Sequence, residues 1–240
     1  MDQKGPDKPR AWRRVRLSRE RRREQILKSA ELQFAATGLR STTTAALAKA
    51  AGISEAILYR HFGAKQKLFE IVVERNTQQR LAGLEGRFSS IPDLPPLESI
   101  DRMAEATILA CADGEGNASV MVWALLEMPE FAADVYRREI GATEAMWDDE
   151  IRNRFEDPAV RTPLAIHLVP YVVHACMAFG LWLVTLRHKP ATAHAHARQY
   201  AEGVVEAARM VLRFCPESLV AGARVPADDG ACRVSWSIGR

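Results

Sequence analysis

Cysteine is scarce in this chain. The four cysteines among 240 residues, Cys111, Cys176, Cys215 and Cys232, form no CxxC pair and no zinc-type spacing. They argue against a disulfide framework or a structural metal and read as reduced thiols. The amino terminus is charged but has no apolar h-region, so no secretion signal is expected and the cytoplasm is the expected compartment. The most apolar run, Leu164 to Leu186, is interrupted by Pro170 and two histidines, which fits a buried helix better than a membrane span. No Gly-rich phosphate loop, nucleophile elbow or HExxH is present. His167 and His174 have no nearby carboxylate or cysteine to complete a metal set, and His194 and His196 point to different sides of a helix. Catalytic residues, cofactors and metals are therefore all assigned as none, and enzymes are the first class rejected.

What the chain does have is an uneven charge. Residues 1–80 hold 18 Lys and Arg against 8 Asp and Glu, and the remainder 15 against 22, which together give the overall +3. A basic amino-terminal third on an acidic body is the footprint of a nucleic-acid-binding end. Nearly half the residues are apolar, at 48%, enough for a sizeable core in one or two domains.

The most informative stretch lies within the basic third, from Thr42 to Phe69. Ala45 to Ala51 are helix formers around Leu47, Gly52 suits a left-handed helix end, and Ser54 can cap a second helix that stops at Gly63. Two short helices joined by a tight Gly-containing turn are the pattern of a helix-turn-helix, whose second helix enters the DNA major groove. The same pattern also fits an ordinary helical hairpin.

The order Gly38, Thr42, Leu47-Ala48, Ala51-Gly52-Ile53-Ser54, Leu58-Tyr59, His61-Phe62, Lys65 and Leu68 resembles the DNA-binding domain of the TetR family of transcriptional regulators. The likeness runs from Arg19 to Arg75, about a quarter of the chain. Ala56 departs from it, standing where the family often has Gly. The resemblance implies an all-α fold: a three-helix DNA-binding domain followed by a larger helical ligand-binding and dimerisation domain. It also implies that Tyr59, His61 and Lys65 hold the DNA backbone.

The other DNA-binding candidates come from the residues themselves. Thr43 or Thr44 caps the second helix, near unpaired N–H groups suited to phosphate, and Ser54 has the same double reading. Arg60 has the fork for guanine, Ala56 a methyl for thymine, and Glu55 a carboxylate that accepts from cytosine.

Four segments follow. Residues 1–18, with Arg10, Arg13, Arg14 and Arg16, are expected to form a flexible basic arm that contacts DNA or is merely solvated. The DNA-binding domain with its linking helix is expected over 19–84, with a first helix ending at Gly38 and Phe34, Leu47, Leu58 and Phe62 in its core. Residues 95–215 are expected to be the ligand and dimerisation domain, and 216–240 a loose tail. Apolar periodicity predicts body helices over 99–112, 118–128, 129–155, 163–186 and 191–214. The last two are so apolar that they predict a homodimer through a four-helix bundle. Met121, Trp123, Met128, Trp147, His174, Met177 and Trp182 are the candidates for an apolar effector pocket, although large residues at this spacing equally make plain core.

The expected function is a repressor released from a palindromic operator on double-stranded DNA by a small, largely apolar ligand. The alternative is an activator or a DNA-binding protein with no small-molecule effector.

Overall fold

A computed structural model describes residues 18–112, 118–156, 158, 161, 168–185 and 190–214. Among them are nine helices and no strand: α1 Arg19–Ser41, α2 Thr44–Ala50, α3 Glu55–Phe62, α4 Lys65–Ser89, α5 Pro96–Ala112, α6 Ala118–Glu127, α7 Pro129–Arg154, α8 Val169–Thr185 and α9 Pro190–Phe214. No described helix is long and apolar enough to cross a membrane. The expected arm lies outside the described residues apart from Ser18, and the expected tail lies wholly outside them.

The helices fall into two compact units. Among the described residues, the head comprises 18–76 and 119–132, and the body those within 77–118 and 133–214. The units part within α4, and α6 belongs to the head.

In the head, Ser18 starts α1 by accepting a hydrogen bond from the Arg21 N–H at 3.2 Å. The apolar stripe Ile26, Leu27, Ala30 and Phe34 is buried, and Phe34 meets Phe69 of α4 edge-to-face at 4.9 Å. Leu47, Leu58 and Phe62 close the same core at 6% exposure or less. Each such side chain contributes about 1.5–3 kcal/mol of burial, which two helices of 7 and 8 residues need because they are too short to persist alone. Gly38 does not end α1 outright. Its φ of 75° and ψ of −177° break the helix, which then resumes to Ser41.

The body is built around α5, which packs against α8 and α9. Ile100, Met103, Ala104 and Ile108 of α5 are completely buried. Gly180 of α8 permits this closeness, since a Cβ there would lie 2.5 Å from the Cys111 Cβ and 2.8 Å from the Ile108 carbonyl oxygen. Trp147 of α7 is buried against Phe88, and its Nε1–H donates to the Thr107 hydroxyl at 3.0 Å. Helix α4 outlasts its expected end at Leu84 because Phe88 continues the same buried face, while Gly86 has open space around it. Arg154 secures that end by donating to the Pro92 and Ile91 carbonyls at 2.8 and 3.1 Å. Pro170 sits in the first turn of α8, where its missing N–H costs nothing.

The body also buries an ion pair. Arg80 and Glu139, each 3% exposed, share two bonds of 2.8 Å, and the Thr77 hydroxyl donates to the same carboxylate at 3.3 Å. The Glu139 carboxylate holds the Arg80 guanidinium charged against the opposing effect of burial.

Candidate nucleic-acid interface

Short helices present side chains accurately only when something fixes them, and the head does this with side chains that grip backbone. The Lys65 ammonium donates to the carbonyls of Leu39 and Thr42, both at 2.7 Å, tying the α1–α2 turn to the start of α4. Gln25 donates to the Ala51 carbonyl at 3.1 Å, and Arg23 to the His61 carbonyl at 3.5 Å while its guanidinium lies 4.6 Å from the Phe62 ring centre. The turn itself closes through Gly52 N–H to Lys49 and Ile53 N–H to Ala48, with Gly52 at φ 63°.

These grips leave one face of α3 outward. Glu55, Ala56, Tyr59 and Arg60 are exposed, with Ser54 just ahead of them, while Leu58 and Phe62 point inward. Thr43, not Thr44, caps α2: its hydroxyl accepts from the Ala46 N–H at 3.1 Å. Thr44 instead donates its hydroxyl to the Glu55 carboxylate at 2.5 Å, joining the first residues of α2 and α3. Ser54 occupies the cap position of α3 but makes no side-chain cap bond, contrary to expectation. His61 is half-buried. Desolvation first, then the charges of Arg19, Arg23, Arg60 and Arg22, push its imidazole below the usual histidine value. Lys65 is partly buried and spends two of its three N–H donors on carbonyls, so its first role is to hold the turn.

Helix α6 supplies a contact that no local sequence signal marks. The Glu127 carboxylate accepts from the backbone N–H groups of Leu39 and Arg40, at 2.6 and 3.1 Å, beyond the break at Gly38. Trp123 lies against Gly38, and its Nε1–H donates to the Ala35 carbonyl at 3.2 Å.

The seven ligand candidates divide between the two units. Met121, Trp123 and Met128 belong to the head, and Trp147, His174, Met177 and Trp182 to the body. Trp147 is core. His174 is exposed, its Nδ1 2.6 Å from the Pro170 carbonyl of its own helix. Met177, Arg80, Cys111 and Thr143 help line a cavity of about 10 Å³, far below the size of an organic effector site. Burial pushes the Cys111 thiol up to about 12 and raises that of Cys176 as well, so neither is a nucleophile at neutral pH. Trp182 stacks with Phe179, which stacks on Tyr200 at 4.3 Å. A larger apolar space is an open groove of about 500 Å³ on α8 and α9, lined by Leu168, Tyr171, Val172, Tyr200, Val204 and Ala207. No group of three or more metal-ligating side chains occurs among the described residues.

Residues 26–72, the span of these short helices, match the family model for bacterial regulatory proteins of the tetR family. The chain is also 30% identical over 155 residues to the HTH-type transcriptional repressor KstR2 of Mycolicibacterium smegmatis, covering 62% of this chain and 72% of that one. The chain belongs to the TetR family. Its amino-terminal helices are a DNA-binding domain, and it is a DNA-binding transcriptional regulator; its TetR-family relatives are regulators, not enzymes. A second relative, the nucleoid occlusion factor SlmA of Mannheimia succiniciproducens, is 41% identical over 69 residues, but these are only 29% of this chain and 32% of that protein. Solved TetR-family structures share the fold over most of the chain. A TetR-family regulator from Streptomyces coelicolor superposes with a TM-score of 0.63 at 18% identity, covering 85% of this chain and 87% of that one. The ketosteroid transcriptional regulator KstR2 of Mycobacterium tuberculosis gives 0.55 at 21%, covering 80% and 96%.

Proposed function

We propose that this regulator is a cytoplasmic repressor that binds a palindromic operator as a homodimer and is released by a small, largely apolar effector. The observation that carries the DNA part is the outward face of α3, Ser54 to Arg60, on a helix held by Arg23 at the His61 carbonyl, while Lys65 and Gln25 grip the carbonyls on either side of the preceding α2. Arg60 and Glu55 face base edges in this reading, Ala56 offers a methyl, and Tyr59, Thr43, Thr44 and His61 lie toward the backbone. Arg19, Arg21 and Arg22 add charge beside them without adding sequence information.

Support for the dimer comes from the α8–α9 groove, where Tyr171 is 76% exposed, and from the adjoining surface, where Trp182 is 47% exposed beside Phe179, which stacks on Tyr200. A two-fold partner there would bury an apolar patch that water otherwise covers, and would set half-sites about 34–36 Å apart, or a multiple of that. Support for repression is the relative described as a repressor.

Footprinting of the purified protein on its upstream intergenic DNA, across a salt series and against candidate effectors, tests the proposal. A protected palindrome that fades with salt, is lost in Tyr59→Ala/Arg60→Ala, and is released by an apolar compound fits it. Arg60 replaces Lys65 in this double variant because removing Lys65 would also loosen the turn.

A second reading has its own support. The buried body cavity is only about 10 Å³, and the SlmA match concerns a nucleoid occlusion factor. A DNA-binding protein without an effector would give the footprint and no release by any compound.

A further inference from the structure

We propose that Glu55, steered by Thr44, is a specificity-determining side chain that selects one cytosine in each operator half-site. This rests on α3 entering the major groove, as proposed above. Glu55 is the first residue of α3 and is exposed, and one of its carboxylate oxygens takes the Thr44 hydroxyl at 2.5 Å. That bond fixes the direction of a side chain that would otherwise sample several rotamers, and it leaves the second oxygen to accept.

The chemistry of the groove then narrows the partner. A carboxylate has no hydrogen to donate, and phosphate oxygens offer none, so contact with the DNA backbone would only repel it. In the major groove the donors are the N4 amino group of cytosine and the N6 amino group of adenine. Adenine places its N7 acceptor beside N6, which faces the same carboxylate unfavourably. Guanine presents O6 and N7, and thymine O4, all acceptors. Cytosine is the one base that offers a donor without an adjacent acceptor on that edge. An acidic residue here costs non-specific affinity, and the gain it brings is discrimination.

The test is selection from a random-sequence duplex library by the full chain and by Glu55→Gln, Glu55→Ala, Thr44→Val and Thr44→Ser. Affinity is then measured for the selected site and for its single-base changes, with a thermal unfolding midpoint for each variant. The wild type should select cytosine at one position per half-site, with about a tenfold loss for other bases. Glu55→Gln should move the preference to adenine, because an amide pairs with both N6 and N7. Glu55→Ala should flatten that position alone and bind random DNA more tightly. Thr44→Val should weaken the preference, and Thr44→Ser, which keeps the hydroxyl, should retain it. If Glu55→Ala fails to fold, Glu55→Gln carries the test, since its amide oxygen still accepts from Thr44.

Selected sites unchanged in Glu55→Gln and Glu55→Ala, with only the unfolding midpoint lowered, would make the Thr44–Glu55 bond a brace between helices and overturn the inference. A wild type that selects no sequence would overturn it too, by removing the DNA-reading proposal beneath it. The two failures are distinct.

Discussion

The head and the body use their polar side chains differently. In the head, charged and amide side chains grip backbone: Lys65 on Leu39 and Thr42, Gln25 on Ala51, and Glu127 on the amides of Leu39 and Arg40. In the body, the core polar side chains pair mainly with one another, Arg80 with Glu139 and Trp147 with Thr107. The difference follows from how often the backbone is interrupted: α1 breaks at Gly38, just before the groups that Lys65 and Glu127 hold, and two short helices follow. Helices of 7 and 8 residues leave most of their carbonyl and N–H groups near an end, so their termini must be satisfied from outside. Helices of 17 to 26 residues satisfy their own backbone and leave side chains to meet across the core. Recognition side chains on α3 are thus aimed by backbone grips, and the body is held by apolar faces and one buried ion pair.

The largest effect should come from breaking that pair. Arg80→Met strands a buried carboxylate and should cost about 3–5 kcal/mol in urea unfolding, most of it recovered in Arg80→Met/Glu139→Leu. A head grip should cost less and touch function as well. Lys65→Met removes two charge-assisted bonds, for about 1.5–3 kcal/mol, and should lower DNA affinity in parallel with stability. Gly38→Ala should cost about 1–3 kcal/mol, because a Cβ would lie 2.8 Å from the Trp123 ring at a φ of 75°. Intrinsic fluorescence during unfolding would report it.

The smallest effect is the pH dependence of His61. Its folded value is depressed below 6.5, so the unfolded chain takes up the proton first and the head loses stability as pH falls from 6.5 toward the folded value. A nearby phosphate reverses the bias, so DNA affinity should rise as pH falls through this window. The rise should be smaller in His61→Gln, as read by DNA binding at fixed ionic strength.

The same contrast explains what was legible. The head was readable because Gly38, Gly52, Ser54 and Gly63 punctuate short elements one residue at a time, and because the residues between them match a known family at fixed spacing. The body shows its helices through periodicity, but periodicity does not separate core from pocket, so Trp147 fits either on sequence alone. Contacts between distant residues left no local trace. Glu127 is 88 residues from Leu39, and Glu139 is 59 from Arg80. Ser54 had the right identity for a cap and the right place, yet its hydroxyl makes no cap bond, because position and geometry are separate requirements.

The most direct test of the central claim, that the outward face of α3 reads sequence, is the ratio of affinities for a selected operator and a random duplex at one salt concentration. It should be measured for the wild type and for Tyr59→Ala/Arg60→Ala with matched unfolding midpoints. A wild-type ratio of about 10³ or more, falling toward one in the variant, is the predicted result. A wild-type ratio near one, or a large ratio that survives in the variant, would contradict it.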